Sequence, residues 1–211
     1  MTIFTNTSSK QRTERRIAAV GLVLAAGLVL AGCSAGNGTP AQSGHSGHQS
    51  QAPSSGAGHN AADTAFARNM IVHHQQAVDM SETMLAKKDL PQSVTALAER
   101  IKAAQGPEIA TMTSWLKGWG EPVEMPGGHG GHTMEGMLGE EDLAALDAAQ
   151  GKAAAKLFLQ QMTEHHEGAL AMAKEEQAKG KDAGAVALAK EIITAQEAEV
   201  KEMKALLSGL G

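Results

Sequence analysis

The 211-residue chain has one cysteine, no tyrosine and only five phenylalanine and tryptophan residues. A lone cysteine excludes internal disulfides and any multi-thiolate zinc or iron–sulfur site. The shortage of aromatic side chains argues against a β-rich fold, which would want more aromatic and β-branched residues than this. No Glu-x-x-His motif occurs, so the usual carboxylate framework of two-iron helical bundles is missing. Excess positive charge is also absent. The formal charge is −5, and without Lys10, Arg12, Glu14, Arg15 and Arg16 it becomes about −8, which excludes nucleic acid and anionic lipid headgroups as partners of the body of the protein.

The apolar run from Ile17 to Leu30 is too short to span a bilayer comfortably. It follows Arg12, Arg15 and Arg16 and ends in Leu30-Ala31-Gly32-Cys33, so it reads as a secretory signal. Those last four residues resemble the lipobox of bacterial lipoproteins. The resemblance implies that residues 1–32 are removed, that Cys33 carries the lipid, and that the protein is anchored to the extracytoplasmic face of a membrane. Arg15-Arg16 does not decide the export route. Residues 33–61 are rich in Gly, Ser, Gln, Ala and Pro, with scattered His45, His48 and His59, and they read as a flexible tether.

From residue 62 to 208 the composition is that of helices: Ala, Leu, Met, Glu, Lys and Gln. Four long helices are expected, at about 64–87, 91–118, 152–178 and 183–208, with a shorter one at about 140–149. Asp63 and Asp182 are placed to cap two of them, Pro91 suits a first turn, and Gly120 and Gly180 suit helix ends. Pro107 falls inside the second helix, where it removes an amide donor and should kink it.

The segment is also duplicated. Phe66 to Met80 aligns without a gap to Phe158 to Met172, and the matched residues are Phe, Met, His, His, Ala and Met. The partner helices align too, with Leu97, Ile101, Gln105, Glu108 and Met112 falling on Leu188, Ile192, Gln196, Glu199 and Met203. Two copies of one αα-hairpin (62–119 and 140–208, joined by 120–139) therefore predict an all-α four-helix bundle with pseudo-two-fold symmetry.

At about 100° per residue, His73 lies in the middle of the stripe formed by Phe66, Ala77, Met80 and Met84, with Met70 at its edge. His74 borders the stripe on the other side, and His165 and His166 repeat the arrangement between Met162 and Met172. Buried imidazoles need partners, and pairs of them in a methionine-lined interior invite a metal. Met70-x-x-His73 and Met162-x-x-His165 stand where a two-iron bundle would carry Glu-x-x-His. Thioether and imidazole donors favour Cu(I) over Cu(II) and over iron, calcium or magnesium, and leave other transition metals open. The candidate ligands are thus Met70, His73, His74, Met80, Met162, His165, His166 and Met172. The plain alternative is that these methionines only fill an adaptable core.

Met84, Met112 and Met203 are additional candidates; the counterpart of Met84 is Glu176. Gln105 with Glu108, and Gln196 with Glu199, share a helix face in pairs. They read either as groups that orient the imidazoles or as solvated surface residues. The glycine-rich connection 120–139 holds Met125, His129, His132, Met134 and Met137. It reads as a loop that gathers metal for the bundle or as a plain tether.

Met-x-x-His-His-x-x-Ala-x-x-Met, followed by Ala-Gln-x-x-Glu-Ile/Val-x-x-Met, resembles the bacterial family called domain of unknown function 305, over about residues 62–208 and in both copies. The resemblance implies a ferritin-like helical bundle, often exported, with some members binding copper and linked to copper tolerance. Its motif positions here are Met70, His73, His74, Met80, Gln105, Glu108 and Met112, then Met162, His165, His166, Met172, Gln196, Glu199 and Met203. Gly168, where the first copy has Gln76, departs from the repeat.

The expectation is an extracytoplasmic copper-binding protein that sequesters or relays the ion without turnover. A ferritin-like metal oxidase and a metal-free helical interaction module are the alternatives. A second copy of the chain, or a protein that donates or accepts copper, stays open as a partner.

Overall fold

The computed structural model describes residues 58–124 and 134–211. The signal segment, Cys33, His45, His48, Met125, His129 and His132 lie outside the described residues. Among the described residues five helices follow one another: α1 (Ala61–Leu85), α2 (Gln92–Trp119), α3 (Glu140–Ala148), α4 (Gly151–Lys179) and α5 (Ala183–Gly209). The described residues form an all-helical bundle in which α1 packs on α2 and α4 packs on α5. The two hairpins meet mainly through α1 and α4. None of the described helices is long and apolar enough to cross a membrane.

Helix α1 starts earlier than expected, because Asn60 and not Asp63 is its cap. The Asn60 side chain accepts from the amides of Ala62 and Asp63, and Asp63 reciprocates by accepting from the Asn60 amide at 2.6 Å. The other Asp63 oxygen accepts from the amides of Lys181 and Asp182, each at 2.9 Å, so the residue read as a local cap instead ties the start of α1 to the α4–α5 turn. Asn60 adds to that tie by donating to the Lys179 carbonyl. These bonds place the start of α1 beside the end of α4, so the two central helices run antiparallel.

Asp182 caps α5 through Gly184 and Ala185, and Gly120 ends α2 in the left-handed conformation with φ of 75°. Pro91 precedes α2 as its cap. The helix runs on through Pro107 without interruption, and the residue whose carbonyl loses a donor there, Ala103, is exposed to water. Gly180 ends α4 with an ordinary φ of −64°; what it contributes is the missing Cβ, which would collide with the Glu176 carboxyl. His59, read as part of the tether, is buried and stacks on Trp119 with ring centroids 4.6 Å apart. Short α3 lies on α4, burying Leu146 and receiving a hydrogen bond from Gln161 to the Asp142 carbonyl.

The apolar interior is divided in two. One cluster gathers Ala77, Met80 and Met84 of α1, Leu97 and Ile101 of α2, Phe158 and Met162 of α4, and Met203 of α5. The other gathers Phe66 and Met70 of α1, Met112 and Leu116 of α2, Ala169 and Ala173 of α4, and Ala189 and Ile192 of α5. Every long helix passes from one cluster to the other, and the residues at the crossing are polar: His73 and His74, Gln105 and Glu108, His165 and His166, Gln196 and Glu199. The middle of the bundle is therefore a polar layer between two apolar ones.

Candidate metal centre

All four histidines are fully buried. The antiparallel pairing of α1 and α4 brings the two pairs together, with the His73 and His165 rings 3.8 Å apart at their centroids and tilted by 42°. The His165 and His166 centroids are 6.3 Å apart. The four imidazoles thus form one continuous layer and not two separate pockets.

Two of them are held from the partner helices. His74 Nε2 lies 2.7 Å from Glu108 Oε2, and His166 Nε2 lies 2.8 Å from Glu199 Oε2. A carboxylate only accepts, so in both pairs the imidazole donates from Nε2. Glu108 and Glu199 thereby orient the rings, as the outer partners of metal-bound histidines do. His73 Nε2 is 3.3 Å from the main-chain carbonyl of Glu135, an acceptor that no side-chain motif reveals. His165 has no partner on either nitrogen. Nδ1 of His73, His74 and His166 is likewise buried and unpartnered, which leaves five imidazole nitrogens without a hydrogen bond.

Burial disfavours the charged form of these rings. It pushes His73 down to about 4, with the neighbouring His74 adding to the shift. Burial first, and then His73, His166 and His74, hold His165 well below the ordinary imidazole value. Both rings are neutral at pH 7 and keep a lone pair, the form in which imidazole binds a metal.

The methionines flank this layer in a crossed pattern. Met70 and Met112 of the first hairpin share a cluster with Met172 of the second, which is partly exposed. Met162 and Met203 of the second hairpin share the other cluster with Met80 and Met84 of the first. Gln105 and Gln196 are buried in the polar layer; both polar atoms of Gln105, and Oε1 of Gln196, have no partner. Met134 and Met137 are half-buried in the returning end of the connection.

Among the described residues no three His, Asp or Glu side chains converge as a ready cage. A metal held here would need thioether sulfur to complete its donors, and the methionines of the two flanking clusters are the candidates. The orphaned imidazole nitrogens are a second mark of fit, since a buried unsatisfied lone pair costs about 1–3 kcal/mol that a ligand would recover; neutral His165 offers one such nitrogen and keeps a proton on the other.

At the Asp63 end of the α1–α4 contact, Glu176 stands where the first hairpin has Met84. It is buried, and its carboxyl has no hydrogen-bond partner besides the adjacent Asp63. Burial, and then the adjacent Asp63, push its pKa up to about 8. Burial pushes Asp63 upward as well, but Glu176 and the amides of Asp182, Asn60 and Lys181 outweigh it and hold Asp63 below its ordinary value. The sequence marks Glu176 only as the counterpart of Met84; Gly180, one turn further on, leaves room for its carboxyl, and Asp63 meets it from the other hairpin, which the repeat alignment does not report.

The fold and the site define a class: an antiparallel helical bundle made of two like hairpins, with a buried histidine layer between methionine clusters. The sequence model described as Domain of unknown function (DUF305) matches residues 63–207, and the chain belongs to that family. A DUF305 protein of Streptomyces coelicolor, described as secreted, is 35% identical in its crystal structure. The match covers 71% of this chain and 92% of that one, with a TM-score of 0.66. A DUF305 fragment from Deinococcus radiodurans is 28% identical over 72% of this chain and 98% of its own, with a TM-score of 0.65. CopM in its Cu(I)-bound form is 32% identical over 70% of this chain and 96% of that one, with a TM-score of 0.58. Its Cu(II)-bound form matches at 32% and a TM-score of 0.60. Among curated proteins none matches the chain.

Proposed function

We propose that this protein binds copper in the histidine layer, and that it sequesters or relays the ion without chemical turnover. The observation that carries the reading is the set of five buried, unpartnered imidazole nitrogens between two methionine clusters. Neutral imidazole and thioether together favour Cu(I), while the imidazoles alone also accept Cu(II). The similarity to CopM, which has been crystallised with both ions, supports the same cargo here.

The ligands in this reading are His73, His74, His165 and His166, with Met70, Met80, Met162 and Met172 completing the donors. Glu108 and Glu199 fix two of the rings. Met84, Met112 and Met203, in the same clusters, extend the soft lining. The His/Met connection, with His129, His132, Met134 and Met137, collects copper for the bundle. Attachment through Cys33 on the extracytoplasmic side completes the reading. It is supported by the signal-like leader and by the relative described as secreted.

Titration of the mature protein with Cu(I) against a competing chelator tests the proposal. Binding should be strong in the wild type and lost when His73, His74, His165 and His166 are all changed to Ala. Equal binding by both proteins would refute it.

A further inference from the structure

The two hairpins differ at one position beside the histidines, Gln76 in the first and Gly168 in the second, and the returning end of the connection docks on both. The Gln76 side chain donates to the Leu138 carbonyl at 3.0 Å and accepts from the Leu138 amide at 2.9 Å. It pairs with that residue as a neighbouring strand would. On α4, a Cβ at Gly168 would overlap the Glu135 carbonyl oxygen. Gly136 has φ of 80°, and a Cβ there would come within 2.7 Å of the Glu164 carbonyl and 3.0 Å of the His165 carbonyl. Backbone packs directly on backbone at this crossing, and only glycine permits it on both sides. The result is that the Glu135 carbonyl points at His73 Nε2.

The geometry assigns to Gln76 the role of a positioning residue for His73. By fastening the segment 134–139 across α1 and α4, it sets the Glu135 carbonyl against Nε2, keeps the ring proton there, and leaves Nδ1 as the atom offered to a metal. Gly168 makes room for the same segment. A carbonyl oxygen cannot donate, so the contact permits only the tautomer protonated at Nε2. His74 and His166 reach that tautomer through their glutamates, and His73 reaches it through a piece of main chain that Gln76 holds. His165 has no such partner, so the inner pair is unequal although its sequence motif is symmetric.

The binding arm of the test depends on the copper reading, whereas the tautomer arm, made on metal-free protein, does not. Long-range ¹H–¹⁵N correlation spectra of metal-free wild type should show His73 protonated at Nε2 and bare at Nδ1. In Gln76→Ala the His73 pattern should become mixed, while His74 and His166 keep theirs. Gly168→Ala, which pushes the segment off from the other side, should give the same change. Gln75→Ala, on the exposed neighbour that bonds to Asp79, should leave every pattern as in the wild type.

Cu(I) affinity of Gln76→Ala should fall about tenfold, the lower end of what loss of an outer partner costs a metal site. An unchanged His73 pattern in Gln76→Ala, or one that changes together with His74 and His166, would overturn the assignment. So would a changed pattern with unchanged Cu(I) affinity. A wild type that shows the expected pattern but binds no Cu(I) would instead defeat the copper reading and leave the tautomer assignment standing.

Discussion

The two hairpins share Phe, Met, His-His and Met at matched positions, yet their surroundings differ at two others. Gln76 faces a docked segment of the connection where Gly168 yields to it. Met84 joins the thioethers of one cluster, whereas Glu176 is a buried carboxyl leaning on Asp63. The shared positions supply the histidine layer, and each copy contributes half of it. The differing positions supply what the layer needs once only: a cover on one side and a tie between the first helix and the last turn. Duplication thus fixes the site, and departure from duplication fixes how it is closed.

The largest expected effect tests what the hairpins share. In metal-free protein the unfolded chain takes up protons near the ordinary imidazole value of 6.5, while folded His73 resists until about 4 and folded His165 is likewise held well below 6.5. Their contribution to stability is therefore present above 6.5 and is lost as pH falls toward 4. At about 1.4 kcal/mol per pKa unit, His73 alone accounts for on the order of 3 kcal/mol. Urea unfolding at a series of pH values should show this loss in the wild type. A variant with His73→Asn and His165→Asn should lose much less, and equal acid sensitivity in the two would break the expectation.

A smaller effect tests how alike the two halves of the layer are. Glu108 and Glu199 hold their histidines at 2.7 and 2.8 Å. Glu108→Ala and Glu199→Ala should each lower Cu(I) affinity by about 10–100-fold, and by the same factor. Competition titrations on the two single variants check this. A loss confined to one of them would show that the hairpins contribute unequally at the glutamates as well.

The smallest effect concerns the helix starts. Asn60 caps α1, whereas its aligned position in the second hairpin, exposed Lys152, already lies in the first turn of α4, a helix with no side-chain cap. Asn60→Ala should cost about 1 kcal/mol and Lys152→Ala less than about 0.5 kcal/mol. Thermal unfolding of the pair measures the difference, and equal costs would mean that Asn60 contributes nothing beyond its exposed counterpart.

Much of the architecture was legible along the chain. Helix-forming composition, the 3.6-residue stripe and the repeat placed every long helix to within a few residues. The boundary at α1 moved because Asn60 and Asp63 cap reciprocally, a pairing that the apolar stripe does not report. His59 reads as tether from its Gly, Ala and Asn neighbours; only its stacking on Trp119, sixty residues away, shows that it belongs to the fold. Helix spacing along the chain does not tell where Glu108 and Glu199 point; helix rotation in the fold turns their carboxylates onto the imidazoles.

The sequence by itself determined which side chains are available: a single cysteine at position 33, no Glu-x-x-His, and histidine and methionine recurring at fixed offsets in the two copies. Those are properties of a single helix, whose geometry is local and periodic. Only the tertiary structure decided that the two histidine pairs form one layer, because that depends on α1 and α4 packing antiparallel at one register. It alone revealed the Glu135 carbonyl, since every residue carries such a group and its neighbour is chosen by the path of the chain. And it alone made Gly168 and Gln76 meaningful, because the close approach of a backbone is a fact about space that spacing along a sequence does not encode.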